Sequence, residues 1–189
     1  MLRIVPLQYP TTEHYAVRIT ATERGAEISL EKRPLPAPLA FTPETYGNPD
    51  RLYADHFADA RAYAVMDGET PAAVMEICPE EWNNRMRITE LWVREDCRRK
   101  GLGGALVAFA KSEAVREGRR ALVLETQSCN TGAIAFYRRA GFSLIGLDTC
   151  CYSNEDVSRG EVRLELGMLL YFVVVTEHMR RRAYAPAAA

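Results

Sequence analysis

The stretch that decides the fold is CRRKGLGGAL, residues 97–106, in which three basic residues precede three glycines and an apolar run begins. From Leu102 onward apolar residues recur at helical spacing, and Gly118 ends the pattern. A glycine-rich turn that opens a helix presents unpaired backbone N–H groups to an anion. The stretch therefore predicts a phosphate-binding turn or, as the alternative, a glycine-rich helix start with solvated basic residues.

Two common phosphate motifs do not fit this stretch. A P-loop needs a lysine followed by Ser or Thr after the glycines, and none stands there. A dinucleotide fold needs a small residue where Leu106 stands, and its first glycine directly after a strand, although Glu125 lies near the place of a ribose-binding acid. Residues 94–100 instead separate Val93 from Gly101. We therefore expect a different pyrophosphate cradle, formed by the N–H groups of residues 99–104 with Arg98 beside them.

The rest of the chain predicts a mixed α/β (α+β type) sheet flanked by helices, in a single domain. Prolines make residues 34–49 a loop. Alternation and apolar runs predict strands at 27–31, 63–66, 72–78, 86–93, 121–125, 142–151 and 161–169, and helical patterns cover 49–60, 102–117 and 131–140. We divide the chain into a variable part at 1–60, a core at 62–169, and a C-terminal strand with a flexible tail at 170–189.

Composition excludes several classes of protein. The 24 basic and 25 acidic residues nearly cancel, so a nucleic-acid partner is not expected. No apolar stretch is long enough to span a membrane, and no signal peptide is evident, so we expect a cytoplasmic protein without a membrane partner. The five cysteines fit no zinc spacing, which predicts free thiols and no metal. The apolar end at 168–175 predicts a strand in the core or in a homodimer interface.

A second motif follows the strand at 121–125. Asn130 begins the pattern N-x-x-A-x-x-F-Y-x-x-x-G-F, with Tyr137 seven residues later and Gly141 just past the helix end. Seven residues are about two helical turns, so Asn130 and Tyr137 share one face of a helix that Asn130 caps. Such a face can line a cleft; the alternative is a core-edge tyrosine with a satisfied hydroxyl.

The two motifs together resemble the GNAT family of acetyl-CoA-dependent N-acetyltransferases. The resemblance covers residues 62–169 and implies a sheet that splays between the strands at 86–93 and 121–125, with acetyl-CoA as co-substrate in the splay. It implies a pyrophosphate cradle around residues 99–104 and a strand end that pairs with the pantetheine arm. The cofactor-binding residues it implies are Leu91, Trp92, Val93, Arg98, Arg99, Lys100, Gly101, Leu102, Gly103, Gly104, Asn130, Ala133, Phe136 and Tyr137.

The resemblance also implies a division of catalytic roles. Tyr137 would donate a proton to the departing CoA thiolate, whose reference pKa of about 8.5 needs only modest help. An alkylamine acceptor is mostly protonated at neutral pH, so a carboxylate must take its proton, directly or through water. Glu90, on the strand beside the expected thioester, is our predicted base; its alternative role is to orient the substrate or simply to be exposed.

Within this family the chain is similar to streptothricin N-acetyltransferases, at Trp82-Asn83, at residues 124–130 and at residues 146–154. That similarity implies a cationic antibiotic amine as acceptor. The substrate-binding residues it suggests are Glu90, Trp82, Asp148 and Tyr152. Glu90 and Asp148, with the loop acids Glu155 and Asp156, would form an acidic collar, a ring of carboxylates around a polycationic substrate. One difference stands out: that group tends to carry two adjacent acids, where this chain has Thr89-Glu90.

Two alternative functions stay open at the level of sequence. The cofactor motifs do not distinguish a small-molecule enzyme from a protein acetyltransferase acting on an N-terminus or a lysine. A non-catalytic acetyl-CoA-binding module is the third interpretation, which the intact motif residues disfavour.

Overall fold

The computed structural model describes residues 9–41 and 52–171 of the chain. In chain order the elements are β1 (Tyr9–Thr22), β2 (Gly25–Phe41), β3 (Arg61–Asp67), β4 (Thr70–Glu80), β5 (Arg85–Val93), α1 (Leu102–Arg116), β6 (Ala121–Gln127), α2 (Thr131–Arg139), β7 (Ser143–Asp148), α3 (Asp156–Arg159) and β8 (Arg163–Leu169). Single 3-10 turns at Glu81–Asn83 and Glu95–Cys97 flank β5. Within these two ranges no helix is long and apolar enough to cross a membrane.

The six strands from β3 onward form one sheet in the order β3-β4-β5-β6-β8-β7. The pairs β3–β4, β4–β5, β6–β8 and β7–β8 are antiparallel, whereas β5 and β6 are parallel. Parallel neighbours need a crossover connection, and α1 provides it. The predicted mixed sheet and its two main helices are therefore confirmed.

The hydrophobic core lies on the face of the sheet that carries α1 and α2. Met86 and Ile88 of β5 and Leu122 of β6 pack there against Leu106 of α1 and Tyr137 of α2. Side chains alternate between the two faces of a strand, so the residues between these core positions point to the opposite face. On that second face β5, β6 and β8 carry the charged residues Arg87, Glu125 and Glu165, which are described below.

The expected loop at 34–49 is partly wrong, because residues 34–41 continue strand β2. Three prolines alternate along this segment at 34, 36 and 38. In a strand, residues at alternate positions point their backbone nitrogens toward the same edge. The three prolines, which lack an N–H group, can therefore all face the unpaired edge of β2, where no hydrogen-bond donor is required. Residues 42–49 lie outside the described residues, and β1, which pairs with β2, was not predicted.

The expected helix at 49–60 is wrong for residues 52–60, which form consecutive turns; residues 49–51 lie outside the described range. Tyr53 has a φ of 58°, which no right-handed helix contains. Its N–H donates to the buried Glu76 carboxylate at 2.5 Å. Leu52 packs beside Val74 and Trp92. Bonds to the sheet thus replace the helical ladder that the sequence suggests.

The β1–β2 hairpin braces the chain just before α2. The Tyr15 N–H donates to the Ser128 carbonyl at 2.9 Å, and the Thr11 hydroxyl donates to the Cys129 carbonyl at 2.9 Å. Val17 packs against Ile134 of α2. These contacts fix the position from which α2 begins. The C-terminal strand predicted at 168–175 is observed only through Leu169, and residues from 172 onward lie outside the described part of the chain.

Candidate active site

The central feature of the site is a gap between β5 and β6. Their pairing runs from Arg85 opposite Ala121 to Ile88 opposite Leu124 and ends there. Strand β5 nevertheless continues to Val93, and β6 continues to Gln127. The expected splay is therefore confirmed, since the two strands no longer pair with each other beyond these residues.

A β-bulge shapes the edge of this gap on β5. Glu76 of β4 pairs with Glu90, and the next pair joins Ile77 to Ile88, so Thr89 is the extra residue. The Thr89 hydroxyl donates to the Glu76 carboxylate at 2.6 Å. Strict alternation along a strand would have placed Thr89 and Glu90 on opposite faces. The bulge instead turns both toward Glu76, which is 0% exposed.

The glycine-rich stretch forms the predicted turn and helix start. Gly101 caps α1 with a φ of 86°, and Arg99 also has a positive φ of 60°. The Ala105 N–H donates to the Gly101 carbonyl at 3.0 Å, so the N–H groups of residues 102–104 precede the first intrahelical bond and point out of the helix. This geometry suits an anion with closely spaced oxygens.

The basic side chains of the turn surround the same helix start. Arg98, Arg99 and Lys100 are exposed, and the Arg98 Nε donates to the Val93 carbonyl at 3.3 Å. That bond ties the turn to the end of β5. Arg94, by contrast, is held by Asp67 and Asp96, so it stabilises the loop.

The start of α1 lies close to α2 at Gly103. A Cβ atom on Gly103 would lie 3.3 Å from the Phe136 ring and 3.7 Å from a methyl group of Val93. Glycine therefore allows the turn, the end of β5 and α2 to meet at one point. Leu91, Val93, Leu102, Ala133 and Phe136 all pack at the margin of the core around this contact.

Helix α2 begins at its predicted cap and buries its predicted tyrosine. The Asn130 Oδ1 accepts a hydrogen bond from the Ala133 N–H at 3.1 Å, which confirms it as the N-cap. Tyr137 is buried between Phe136 and Phe142, with ring centroids 5.0 and 5.5 Å away. Burial raises the pKa of its phenol, and the negative charge of Glu90 raises it further. Glu90 of β5 therefore lies close enough to Tyr137 of α2 for its charge to act on the phenol.

The residues expected to bind substrate are not all brought together. Trp82 is 84% exposed and stacks on Arg85 at the opposite end of β5 from Glu90. Asp148 ends β7, and its carboxylate accepts the Cys150 N–H at 3.0 Å. Tyr152 approaches β6 and donates to the Glu125 carboxylate at 2.5 Å.

The prediction that Asp156 belongs to the acidic collar is wrong. Its side chain is 0% exposed, and its two oxygens accept bonds from the Tyr152 N–H at 2.9 Å and the Ser153 hydroxyl at 2.8 Å. A carboxylate near a turn satisfies local backbone donors, and Asp156 does this within its own loop. Glu155 is exposed on the same loop.

Comparison with known proteins agrees with this geometry. Residues 29–142 match the acetyltransferase (GNAT) family. Streptothricin acetyltransferase from Streptomyces lavendulae is 34% identical over 164 residues, which are 85% of this chain and 84% of that protein. Streptothricin acetyltransferase from Escherichia coli is 33% identical over 91 residues, 48% of this chain and 50% of that protein.

Two crystal structures superpose over most of the chain. Nourseothricin acetyltransferase has a TM-score of 0.68 and 30% identity, with 89% of this chain and 90% of that chain covered. A structure from Bacillus anthracis str. Ames in complex with acetyl coenzyme A has a TM-score of 0.68 at 18% identity, with 90% of each chain covered, and shares the fold. From the matched family, the relatives and the splayed sheet, we conclude that this chain belongs to the GNAT family and is an acetyl-CoA-dependent N-acetyltransferase.

Proposed function

We propose that the chain acetylates a primary amine of a small cationic acceptor, a streptothricin-like antibiotic, by direct transfer from acetyl-CoA. The observation that supports this proposal is the end of the β5–β6 pairing at Ile88 and Leu124, together with a Glu90 close enough for its charge to raise the pKa of Tyr137. The 34% identity to a streptothricin acetyltransferase over 85% of the chain supports the acceptor class. Acetyl-CoA supplies the activated acetyl thioester, and the protein supplies the binding contacts and the groups that accept and donate protons.

The proposed cofactor contacts follow from the geometry of the turn and the strand end. The N–H groups of residues 99–104 hold the pyrophosphate, with Arg98, Arg99 and Lys100 supplying positive charge. Residues 91–93 present the edge of β5 that no longer pairs with β6, which suits the amide groups of the pantetheine arm. Asn130 and Ala133 at the start of α2, with Phe136, form the opposite wall.

The proposed catalytic roles divide between the two sides of the gap. Glu90 accepts the proton of the incoming ammonium group, which leaves a neutral nitrogen to attack the thioester carbonyl. Tyr137 donates its proton to the departing thiolate. Because its pKa is raised above the ordinary value of about 10, the phenol stays protonated throughout the neutral range.

The acceptor can be tested by following thiol release from acetyl-CoA with streptothricin, an aminoglycoside, an N-terminal peptide and a lysine peptide. We expect streptothricin to give a kcat/KM of at least about 10⁴ M⁻¹ s⁻¹ and both peptides to be at least about a hundredfold poorer. A peptide that outperforms streptothricin would establish the protein acetyltransferase alternative. No turnover with any of these amines would overturn the proposal.

Replacing Gly101 tests the cradle separately. Gly101→Ala meets no atom within 4 Å but must keep a φ of 86°, a strain of about 1 kcal/mol or more for alanine. We expect the turn to relax and the KM for acetyl-CoA to rise about tenfold, with the KM for the amine unchanged. Gly118→Ala, with a φ of 68° at the far end of α1, is the matched control. An equal rise in KM for both variants would contradict the cradle.

A further inference from the structure

The face of the sheet opposite α1 and α2 carries an ordered row of charges. Arg87 of β5 bonds Glu80 at 2.5 Å and pairs with Glu165 of β8 at 3.2 Å. Arg163, two residues earlier on β8, approaches Glu165 at 2.5 Å and Glu125 of β6 at 3.6 Å. The row thus ends at Glu125. Within the described residues, its only ion pair is the 3.6 Å contact with Arg163.

Glu125 stands directly at the gap. It is the residue after Leu124, where the pairing between β5 and β6 ends. Since Leu124 packs in the core, Glu125 points to the opposite face. Glu90 pairs with Glu76 on that same face, which Val74 and Trp92 also share. Two carboxylates therefore flank the gap from its two strands.

A loop holds Glu125 in place. The Tyr152 hydroxyl donates to its Oε1 at 2.5 Å, and the buried Asp156 carboxylate fixes the loop by accepting the Tyr152 N–H at 2.9 Å. Burial and the charge of Glu125 raise the pKa of Tyr152, so its hydroxyl stays a donor. The Glu125 side chain remains 33% exposed. A carboxylate has about four acceptor positions, and this one keeps room for another donor.

We infer that Glu125 binds a second ammonium group of the acceptor while Glu90 receives the proton of the reacting amine. This inference rests on the proposed function and specifies its substrate class: acceptors with two amino groups. Adjacent strands lie about 5 Å apart where they pair, and the splay widens that distance, so the two ammonium groups should be separated by about 5 to 10 Å. Tyr152 acts here as a positioning residue, since it orients Glu125.

The first test is Glu125→Gln, which removes the charge and keeps the shape. We expect the KM for streptothricin to rise about tenfold or more, because a charge-assisted contact is lost, with kcat within about threefold of wild type. The KM for acetyl-CoA should not change. Tyr152→Phe, which leaves the carboxylate in place, should give an intermediate KM. Glu27→Gln, on the exposed hairpin, is the control. An unchanged KM for streptothricin in Glu125→Gln would overturn the inference.

The second test does not depend on turnover. Cadaverine and pentylamine have equal chain lengths but carry two and one amino groups, and each can be titrated calorimetrically into the protein in the presence of CoA. Wild type should bind cadaverine about tenfold more tightly than pentylamine, and Glu125→Gln should lose this preference. Equal binding of both amines by wild type would overturn the inference. Failure to acetylate any amine would instead overturn the proposed function, while the titration still decides the role of Glu125.

Discussion

Tyr137→Phe is expected to lower kcat about a hundredfold at neutral pH, because it removes the proton that we propose the departing thiolate takes up. The KM for acetyl-CoA should stay within about threefold of wild type. The phenylalanine ring keeps the contacts with Phe136 and Phe142, so the free energy of unfolding should change by no more than about 1 kcal/mol. Steady-state kinetics and thermal unfolding of the purified variant measure both quantities.

Tyr63→Phe is the matched control for this substitution. Tyr63 is a half-buried tyrosine that packs at the margin of the same core, edge-on against Phe109. We expect it to keep wild-type kcat. If Tyr137→Phe also keeps wild-type kcat, Tyr137 is not the acid and belongs to the core alone.

The raised pKa of Tyr137 also has a consequence for the wild-type pH profile. The raised pKa keeps the Tyr137 phenol protonated beyond its ordinary pKa of about 10. Loss of this proton should therefore cause no fall in kcat between about pH 7 and about pH 9.5. A decline of kcat with an apparent pKa near 8 that disappears in Tyr137→Phe would contradict this expectation.

Glu90→Gln is expected to lower kcat/KM for the amine about a hundredfold at pH 7. The glutamine keeps the size of the side chain but cannot accept the proton of the ammonium group. Only the small neutral fraction of the amine then reacts. The rate of the variant should therefore rise about tenfold per pH unit toward the pKa of the amine, about 10, whereas wild type should be much less dependent on pH. A pH series of initial rates separates the two.

Glu69→Gln is the control for Glu90→Gln, because Glu69 is an exposed carboxylate in the β3–β4 turn. It should keep the wild-type rate and pH dependence. A Glu90→Gln variant with a hundredfold loss that persists at every pH would show that Glu90 orients the substrate and does not act as the base.

The sequence predicted the parts of the site that short-range rules control. The turn at 97–106 and the cap at Asn130 depend on glycine and asparagine at defined positions relative to a helix, and both are observed. The splay between β5 and β6 is expected only from the resemblance to GNAT proteins, because no local sequence pattern indicates where two strands separate. The homodimer interface, which is one of two alternatives for residues 168–175, and the division of the chain at 60 and 170 stay predictions.

The parts that the sequence did not predict depend on contacts between distant residues. The bulge at Thr89 requires Glu76 on a neighbouring strand, and the turns at 52–60 replace a helix because Glu76 binds the Tyr53 N–H. The sequence relates Glu125 only to a dinucleotide site, which the position of Leu106 disfavours. Its position at the gap depends on where the β5–β6 pairing ends, and its partner Tyr152 lies 27 residues away.

The contact between Gly103 and Phe136 links two distances that the reaction depends on. Gly103 belongs to the turn proposed to hold the pyrophosphate, and Phe136 directly precedes the proposed acid. If the turn holds the pyrophosphate as proposed, the close approach of Gly103 to Phe136 helps to set the distance from the anchored end of the cofactor to the phenol. An acyl carrier with a shorter or longer arm would place its sulfur out of line with Tyr137. We therefore expect the enzyme to select its acyl donor by length as well as by chemistry.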